Sequence, residues 1–199
     1  MRALAFMVGL VWIAGCATGS NGNKSAPVAA SPPSSAAPPA APARQSLVPY
    51  TSPGGFSVLA PPNVTHGQQM RDTPQGPVEI HVTQASDSVK NINYLVSYSK
   101  FQPGAFSKSN PKALLTSSRD ELVKSFNGQL LSSEEITVGE MPGMDFTADV
   151  PASQRRVSAR ILEGKDEVYT LVTSYPPGAE PADAQTFLGS FRLTSAPAS

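Results

Sequence analysis

The composition of the chain changes abruptly near Ser46, and this change limits which residues can build a core. Proline, alanine and serine dominate residues 18–46, and residues 25–42 contain no aromatic side chain and only one β-branched one, Val28. Such a stretch buries too little apolar surface to offset the entropy lost on ordering, so it predicts a disordered linker. Residues 47–195 are long enough for one folded domain, and residues 196–199 form a short tail.

The start of the chain has the parts of a secretory signal. Arg2 supplies a short positive region, and the apolar run after it holds about a dozen residues, fewer than the ~20 that span a membrane. The run ends in Ile13-Ala14-Gly15-Cys16, which resembles the lipobox of bacterial lipoprotein signals. The resemblance implies a signal peptide over residues 1–15, recognition of the three residues before the cysteine by the signal peptidase, and a diacylglyceryl group on the Cys16 thiol.

The same resemblance implies a location in the cell envelope. Lipoprotein cysteines carry two or three acyl chains, each contributing about 0.8 kcal/mol per buried CH₂, which is enough for stable anchoring. Ala17 rather than aspartate follows the cysteine, which favours the outer membrane, facing the periplasm, in a Gram-negative envelope. The alternative is an ordinary secreted protein with an incidental cysteine.

The linker, over residues 16–46, would then act as a spacer. Its prolines favour extended polyproline II, in which some thirty residues reach up to roughly 90 Å. A second interpretation treats its Pro-Pro pairs as a peptide recognised by a partner's groove.

Charge and cysteine content exclude other classes. The chain carries 15 basic and 15 acidic residues, and loss of Arg2 with the signal would leave a surplus of one acid. A nucleic-acid binder carries a basic surplus, so nucleic acid is not an expected partner. With its single cysteine lipidated, the domain would have no disulfide and would depend on its apolar core.

Alternating apolar residues and turn signals predict a strand-rich domain. The pattern predicts strands over residues 56–60, 68–73, 78–83, 91–101, 135–138, 144–150, 155–162, 167–174 and 190–193. A helix is predicted to begin at Asn110-Pro111, an N-cap followed by a favoured first residue, and to end at Asn127-Gly128. A second helix is predicted over residues 181–188. Tight turns join most of the strands, which indicates an α+β fold with a largely antiparallel sheet and two helices packed on it.

Three segments resemble the PsbP-like domain, named for a photosystem II extrinsic subunit. They are residues 55–61 (GFSVLAP), 141–145 (MPGMD) and 187–193 (FLGSFRL). The resemblance covers residues 50–195 and implies an assembly factor, extrinsic subunit or binding module, mostly without enzymatic activity. It implies no cofactor and carries no functional residue over.

The two histidines are the first candidates for chemistry. His66 is predicted in a loop, and His81 on the polar side of its strand beside Glu79 and Thr83. A metal site would require both rings to meet a carboxylate in space, and no local spacing favours this. Two solvated surface histidines are the preferred interpretation.

Other candidates also have structural interpretations. Glu134 and Glu135 are adjacent on a strand, where neighbours point to opposite faces, so they cannot share a glycosidase site. Ser190 lies in a strand signature and outside any Gly-x-Ser-x-Gly turn. A surface role is therefore predicted for Glu134 and Glu135, and no catalytic role for Ser190.

A basic segment and an aromatic segment could bind a ligand or partner. Arg156 and Arg160, with Arg155 beside them, share a strand face that could meet an anionic lipid or protein; the alternative is a solvated face balanced by Glu163 and Glu167. Tyr94 and Tyr98 share a face with Val96. They are predicted to pack in the sheet core with their hydroxyls at the rim, or else to form an aromatic binding surface.

Three functions follow in order of preference. The first is a membrane-anchored, non-enzymatic lipoprotein that binds an envelope protein or assists its assembly. The second is a small-molecule or lipid carrier that uses a cleft between sheet and helix. The third is a hydrolase with His66 or His81 as its base.

Overall fold

The computed structural model describes residues 46–73, 76–107, 109–179 and 182–194. The predicted signal, Cys16, the linker up to residue 45 and the tail lie outside the described residues. Neither helix in the described part is long and apolar enough to cross a membrane.

The described residues form ten strands and two α-helices, with a short 3-10 helix at Pro151–Ser153. In chain order these elements are β1 (Val48–Ser52), β2 (Phe56–Ala60), β3 (Thr65–Thr73), β4 (Gly76–Asp87), β5 (Ile92–Lys100), α1 (Pro111–Ser125), β6 (Gln129–Val138), β7 (Met141–Val150), β8 (Arg155–Glu163), β9 (Glu167–Tyr175), α2 (Ala182–Gly189) and β10 (Arg192–Leu193).

The strands pair into two sheets. One has seven strands in the order β3-β4-β5-β9-β8-β7-β6, and the other has three in the order β1-β2-β10. Every pairing is antiparallel. The predicted α+β fold, an antiparallel sheet with two helices, is confirmed.

The central strands of the seven-stranded sheet are covered on both faces. Helix α1 packs on β7 and β8, and α2 with β2 packs on the opposite face. Successive side chains of a strand point to opposite faces of the sheet. On β5, Leu95 therefore packs in the core beneath α1, whereas Tyr94, Val96 and Tyr98 pack in the core beneath α2. The alternation predicted for this strand is confirmed.

Helix α1 forms where its capping residues predict it. The Asn110 side chain accepts a hydrogen bond from the Ala113 N–H at 3.3 Å, and Pro111 occupies the first turn. At the other end Asn127 adopts a left-handed φ of 51°, and the Gly128 N–H donates to the Val123 carbonyl at 2.9 Å. Four of its residues, Leu114, Leu115, Leu122 and Val123, are buried against the sheet.

Several predicted strand limits are wrong. β1 was not predicted, because its exposed residues and Pro49 give no clear alternation. β3 begins at Thr65, so His66 lies in a strand and not in a loop. β6 begins six residues before the predicted start at 135, since a register shift between Leu130 and Ser132 interrupts the period of two.

Further limits differ, and β4 extends from Gly76 to Asp87, beyond the predicted residues 78–83 at both ends. β7 begins at Met141 and not at residue 144. The last strand covers only Arg192–Leu193, because Ser190 forms the turn that ends α2.

Candidate functional site

A row of aromatic rings crosses the sheet on the face that α2 and β2 cover. His81 on β4 stacks on Tyr98 of β5 (centroids 5.4 Å apart), and Tyr98 stacks on Tyr169 of β9 (5.3 Å). Tyr169 then meets Phe191 at 5.2 Å, and Phe191 stacks on Phe56 of β2 at 5.6 Å. This aromatic row joins the small sheet to the large one and, except at its His81 end, is buried.

The structure places both histidines on one face of the β3–β4 pair. His66 lies opposite Thr83 and Gln68 opposite His81, so the two rings are diagonal neighbours. His81 Nε2 donates to Glu79 Oε1 at 2.9 Å, and His66 Nδ1 is 3.3 Å from Thr83 Oγ1.

Among the described residues, no group of three or more histidine, cysteine or acidic side chains is arranged to hold a metal ion. Gln68 Nε2 also donates to Glu79 Oε1 at 2.7 Å, and Tyr50 stacks on the His66 ring at 5.5 Å. The arrangement is a hydrogen-bonded cluster at the rim of the aromatic row, with His81 about one third exposed.

Tyr94 and Tyr98 lie in the core, as predicted, with 2% and 8% of their surface exposed. The predicted placement of the hydroxyl at the rim is wrong for Tyr94, whose oxygen is buried and has no hydrogen-bond partner among the residues that the structure describes. Burial raises the pKa of Tyr94 well above its usual range, and the nearby carboxylates of Asp183 and Asp87 add to the rise.

A small cavity lies between the large sheet, β2 and α2. It has room for about one water molecule, and its lining includes Val58, Thr83, Tyr94 and Phe187. The carrier hypothesis places its ligand between sheet and helix, and a cavity of this size is too small for a lipid.

Helix α2 is held at both ends over this cavity. Near its beginning, Lys90 forms an ion pair with Asp183 and lies 3.7 Å from the buried Asp87 carboxylate. At its end, Arg160 Nη1 donates to the Leu188 carbonyl at 2.8 Å. Opening the cavity would break these contacts.

The basic segment on β8 is paired internally. Arg160 donates from Nε and Nη2 to Asp145 at 2.7 Å each, and Arg156 donates to Asp149 at 2.7 and 3.1 Å. Both arginines share a face, as predicted, but their acidic partners lie on β7 and are not the predicted Glu163 and Glu167. The Asp145 carboxylate raises the pKa of Arg160 above its ordinary value.

Arg155 points to the other side of β8 and is also engaged. It donates to the Ser174 hydroxyl at 2.6 Å and to the side chain and backbone carbonyl of Asn91 at 2.9 and 2.8 Å. Because all three guanidinium groups form hydrogen bonds within the domain, a structural role is favoured for the β8 arginines over binding of an anionic partner.

The segments that resemble the PsbP-like domain have packing roles. A Cβ added to Gly143 would lie 2.5 Å from Leu162 Cδ2 and 2.8 Å from the Ile161 carbonyl, so β7 and β8 approach too closely there for a side chain. Ser190 Oγ accepts from the Leu59 N–H at 2.9 Å and donates to the Phe187 carbonyl at 2.7 Å. This hydroxyl ties the end of α2 to β2.

Glu163 is a buried group that sequence reasoning assigned to the surface. Its side chain lies on the α1 side of β8, and only 7% of the residue is exposed. Within the described part of the chain, its Oε2 has no hydrogen-bond partner. Burial raises the pKa of this carboxyl.

The edge of the sheet at β6 is exposed, whereas both faces are covered. Leu130 and Leu131 are 41% and 50% exposed, next to each other on this strand. Glu134 and Glu135 follow on the same strand and are exposed, as predicted. The sequence signal that identifies this surface is an apolar pair beside an acidic pair in a stretch without alternation.

Comparison with known proteins agrees with the fold. No family model and no curated protein matches the chain. The solution structure of cyanobacterial PsbP (CyanoP) from Synechocystis sp. PCC 6803 is similar, with a TM-score of 0.53 and 16% identity over 76% of this chain and 95% of that one. A crystal structure from Bacteroides thetaiotaomicron VPI-5482 matches at a TM-score of 0.37 and 14% identity, over 76% of this chain and 49% of that one. The chain has a PsbP-like fold.

Proposed function

We propose that the protein is a non-enzymatic, protein-binding domain that lipid on Cys16 anchors in the cell envelope. The observation that carries the binding role is the adjacent pair of exposed leucines, Leu130 and Leu131, on an open edge strand. Exposed apolar groups on an unpaired edge favour association, and folded proteins normally cover or blunt such edges.

The PsbP-like fold supports this function because its family is associated with assembly and is generally non-catalytic. The anchor rests on the lipobox resemblance of Ile13-Ala14-Gly15-Cys16, and the proline-rich linker supplies the reach. An envelope protein is the proposed partner, and the outer membrane facing the periplasm is the proposed location in a Gram-negative cell.

The carrier function has less support. Its cleft holds about one water, and the contacts of Lys90 and Arg160 fix both ends of the helix that would have to move. The hydrolase function has less still, because the rings of His66 and His81 are engaged in stacking on Tyr50 and Tyr98 and in hydrogen bonds with Thr83 and Glu79.

Photocrosslinking in native membranes tests the binding role. A photoreactive amino acid would replace, one at a time, exposed apolar residues at separate places on the surface: Val48, Met70, Leu131 and Leu193. We expect a discrete adduct of one defined mass from at least one position. Absence of any adduct from all four would contradict the proposed function.

Metabolic labelling tests the anchor. Wild-type protein should incorporate labelled fatty acid and fractionate with membranes, whereas Cys16→Ser should do neither as a mature protein. A mature, lipid-labelled Cys16→Ser variant would contradict the anchor.

A further inference from the structure

β6 offers a complete, unpaired edge for another strand. It runs for 10 residues, pairs with β7 on one side and ends the seven-stranded sheet on the other. Its outward backbone N–H and C=O groups have no strand partner in the described part of the chain, so an extended peptide could bond to them.

The beginning of β6 adds an apolar surface. The register shift makes Leu131 an extra residue with no partner on β7, since Leu130 lies opposite Ala148 and Ser132 opposite Thr147. Helix α1 covers β7 and β8 but leaves both leucines exposed. They are the only adjacent pair among the large exposed hydrophobic residues that the structure describes.

The negative charge of β6 favours a positively charged partner. β6 carries Glu134 and Glu135 and contains no lysine or arginine, and Glu140 follows in the turn to β7. Lys112 on α1 pairs with Glu135 at 2.5 Å, but within the described residues no cation pairs with Glu134 or Glu140. The edge therefore keeps a surplus of negative charge next to its apolar pair.

This charge disfavours a second copy of the chain. Antiparallel pairing of two β6 strands would bring the Glu134-Glu135 pairs of both copies into neighbouring cross-strand positions, where like charges are destabilising. The chain's own linker is also a poor occupant. It enters at β1, whose Tyr50 contacts His66 on the opposite edge strand, and its many prolines lack the N–H that a ladder needs.

We infer that β6 binds an extended, positively charged segment of a partner protein as an eighth antiparallel strand. A lysine or arginine of that segment lies against Glu134, and an apolar side chain covers Leu130 and Leu131. This inference rests on the proposed function and specifies its binding surface and the class of partner.

Synthetic peptides of the same length as β6 test the inference on the full chain in detergent. The first alternates valine and lysine, the second has glutamate in place of lysine, and the third is the first with alternate residues N-methylated, which removes the ladder donors. Fluorescence anisotropy gives affinity, and hydrogen exchange read by mass spectrometry locates the bound peptide.

We expect the lysine peptide to bind at least about tenfold more tightly than the glutamate peptide, and to slow exchange in residues 129–138. N-methylation should abolish binding, and Glu134→Lys should reverse the preference between the two charged peptides. Arg71→Glu, on the opposite edge strand, serves as the matched control and should change neither affinity.

Three results would overturn the inference. They are no binding of the lysine peptide up to about 1 mM, protection of residues 65–73 in place of 129–138, and concentration-dependent dimers that protect β6 without peptide. If the peptide does not bind β6 but a photoreactive residue outside β6 forms a crosslink in membranes, the proposed function stands and only this inference fails. If no position forms a crosslink, both the proposed function and this inference fail.

Discussion

The two faces of the large sheet are closed in different ways. Under α1 the core is mostly aliphatic, and α1 covers it together with Phe101 and Phe106 of the loop before the helix. Under α2 the core contains four tyrosines and three phenylalanines, and separate chain segments cover it: β1–β2, α2 and β10. A single helix needs only an apolar face of the right shape, whereas segments distant in sequence need stacking and hydrogen bonds to fix their positions.

Each face also contains a buried oxygen for which the described residues supply no hydrogen-bond partner. On the α1 face it belongs to the carboxylate of Glu163, and on the α2 face to the hydroxyl of Tyr94. A hydroxyl stays neutral at physiological pH, but a carboxylate can ionise, so of these two groups only Glu163 adds a pH-dependent cost.

The largest expected effect comes from the aromatic row. Phe191 is fully buried and packs against both Phe56 and Tyr169. Phe191→Ala should lower the free energy of unfolding by about 3–5 kcal/mol in urea titration. Phe106 lies on the α1 face, where its ring packs against Phe101. Phe106→Ala should therefore lower the free energy of unfolding by less than Phe191→Ala. Equal losses would show that the α2 face does not depend specially on its stacked rings.

The close approach of β7 and β8 gives the next effect. Gly143→Ala should cost about 1–3 kcal/mol, because the added methyl would overlap Leu162 and the Ile161 carbonyl. Gly67→Ala on β3 is the matched control, because its added Cβ meets nothing within 4 Å. The free energy of unfolding, measured by thermal denaturation, should change by no more than about 0.5 kcal/mol in this variant. A neutral Gly143→Ala would contradict the packing described for this strand pair.

Replacing two tyrosines of the α2 face with phenylalanine should affect stability differently. Tyr175→Phe removes a buried hydrogen bond of 2.6 Å to Ser158 and should cost about 1 kcal/mol. Tyr94→Phe removes a hydroxyl without a partner and should leave stability unchanged or raise it by up to about 1 kcal/mol. A clear loss from Tyr94→Phe, measured by calorimetry, would mean that a water in the adjoining cavity bonds to the hydroxyl.

The smallest effect depends on pH and belongs to the α1 face. Because burial raises the folded-state pKa of Glu163, the folded protein binds the proton more tightly than the unfolded chain. Stability from this group is therefore highest at low pH and falls as pH rises from the ordinary value near 4.5 through the raised pKa. Glu163→Gln should remove that fall, so its advantage over wild type grows with pH. A pH-independent difference in unfolding midpoints would contradict this assignment.

Much of the fold could be predicted because the core strands alternate and the helices are capped. Asn110, Pro111 and Gly128 mark α1 through local chemistry, and the alternation of β5 reflects two buried faces. By contrast, β1 and the beginning of β6 were missed, since exposed edge strands do not need a regular apolar period.

The side-chain partners were harder to predict than the strands. Arg160 pairs with Asp145 across the sheet and not with a neighbour along the chain, because cross-strand register decides the contact. For the same reason Glu163, which the sequence analysis placed near Arg160 on a solvated face, lies buried on the opposite face. The lipidation of Cys16 remains a prediction.

Since both faces are closed, the central claim is that the partner meets the sheet at β6. Hydrogen exchange of the full-length protein, compared between native membranes and purified protein in detergent, tests this most directly. The account predicts slower exchange in native membranes for residues 129–138 and unchanged exchange for residues 65–73 on the opposite edge. Slower exchange at residues 65–73, or no difference at either edge, would contradict it.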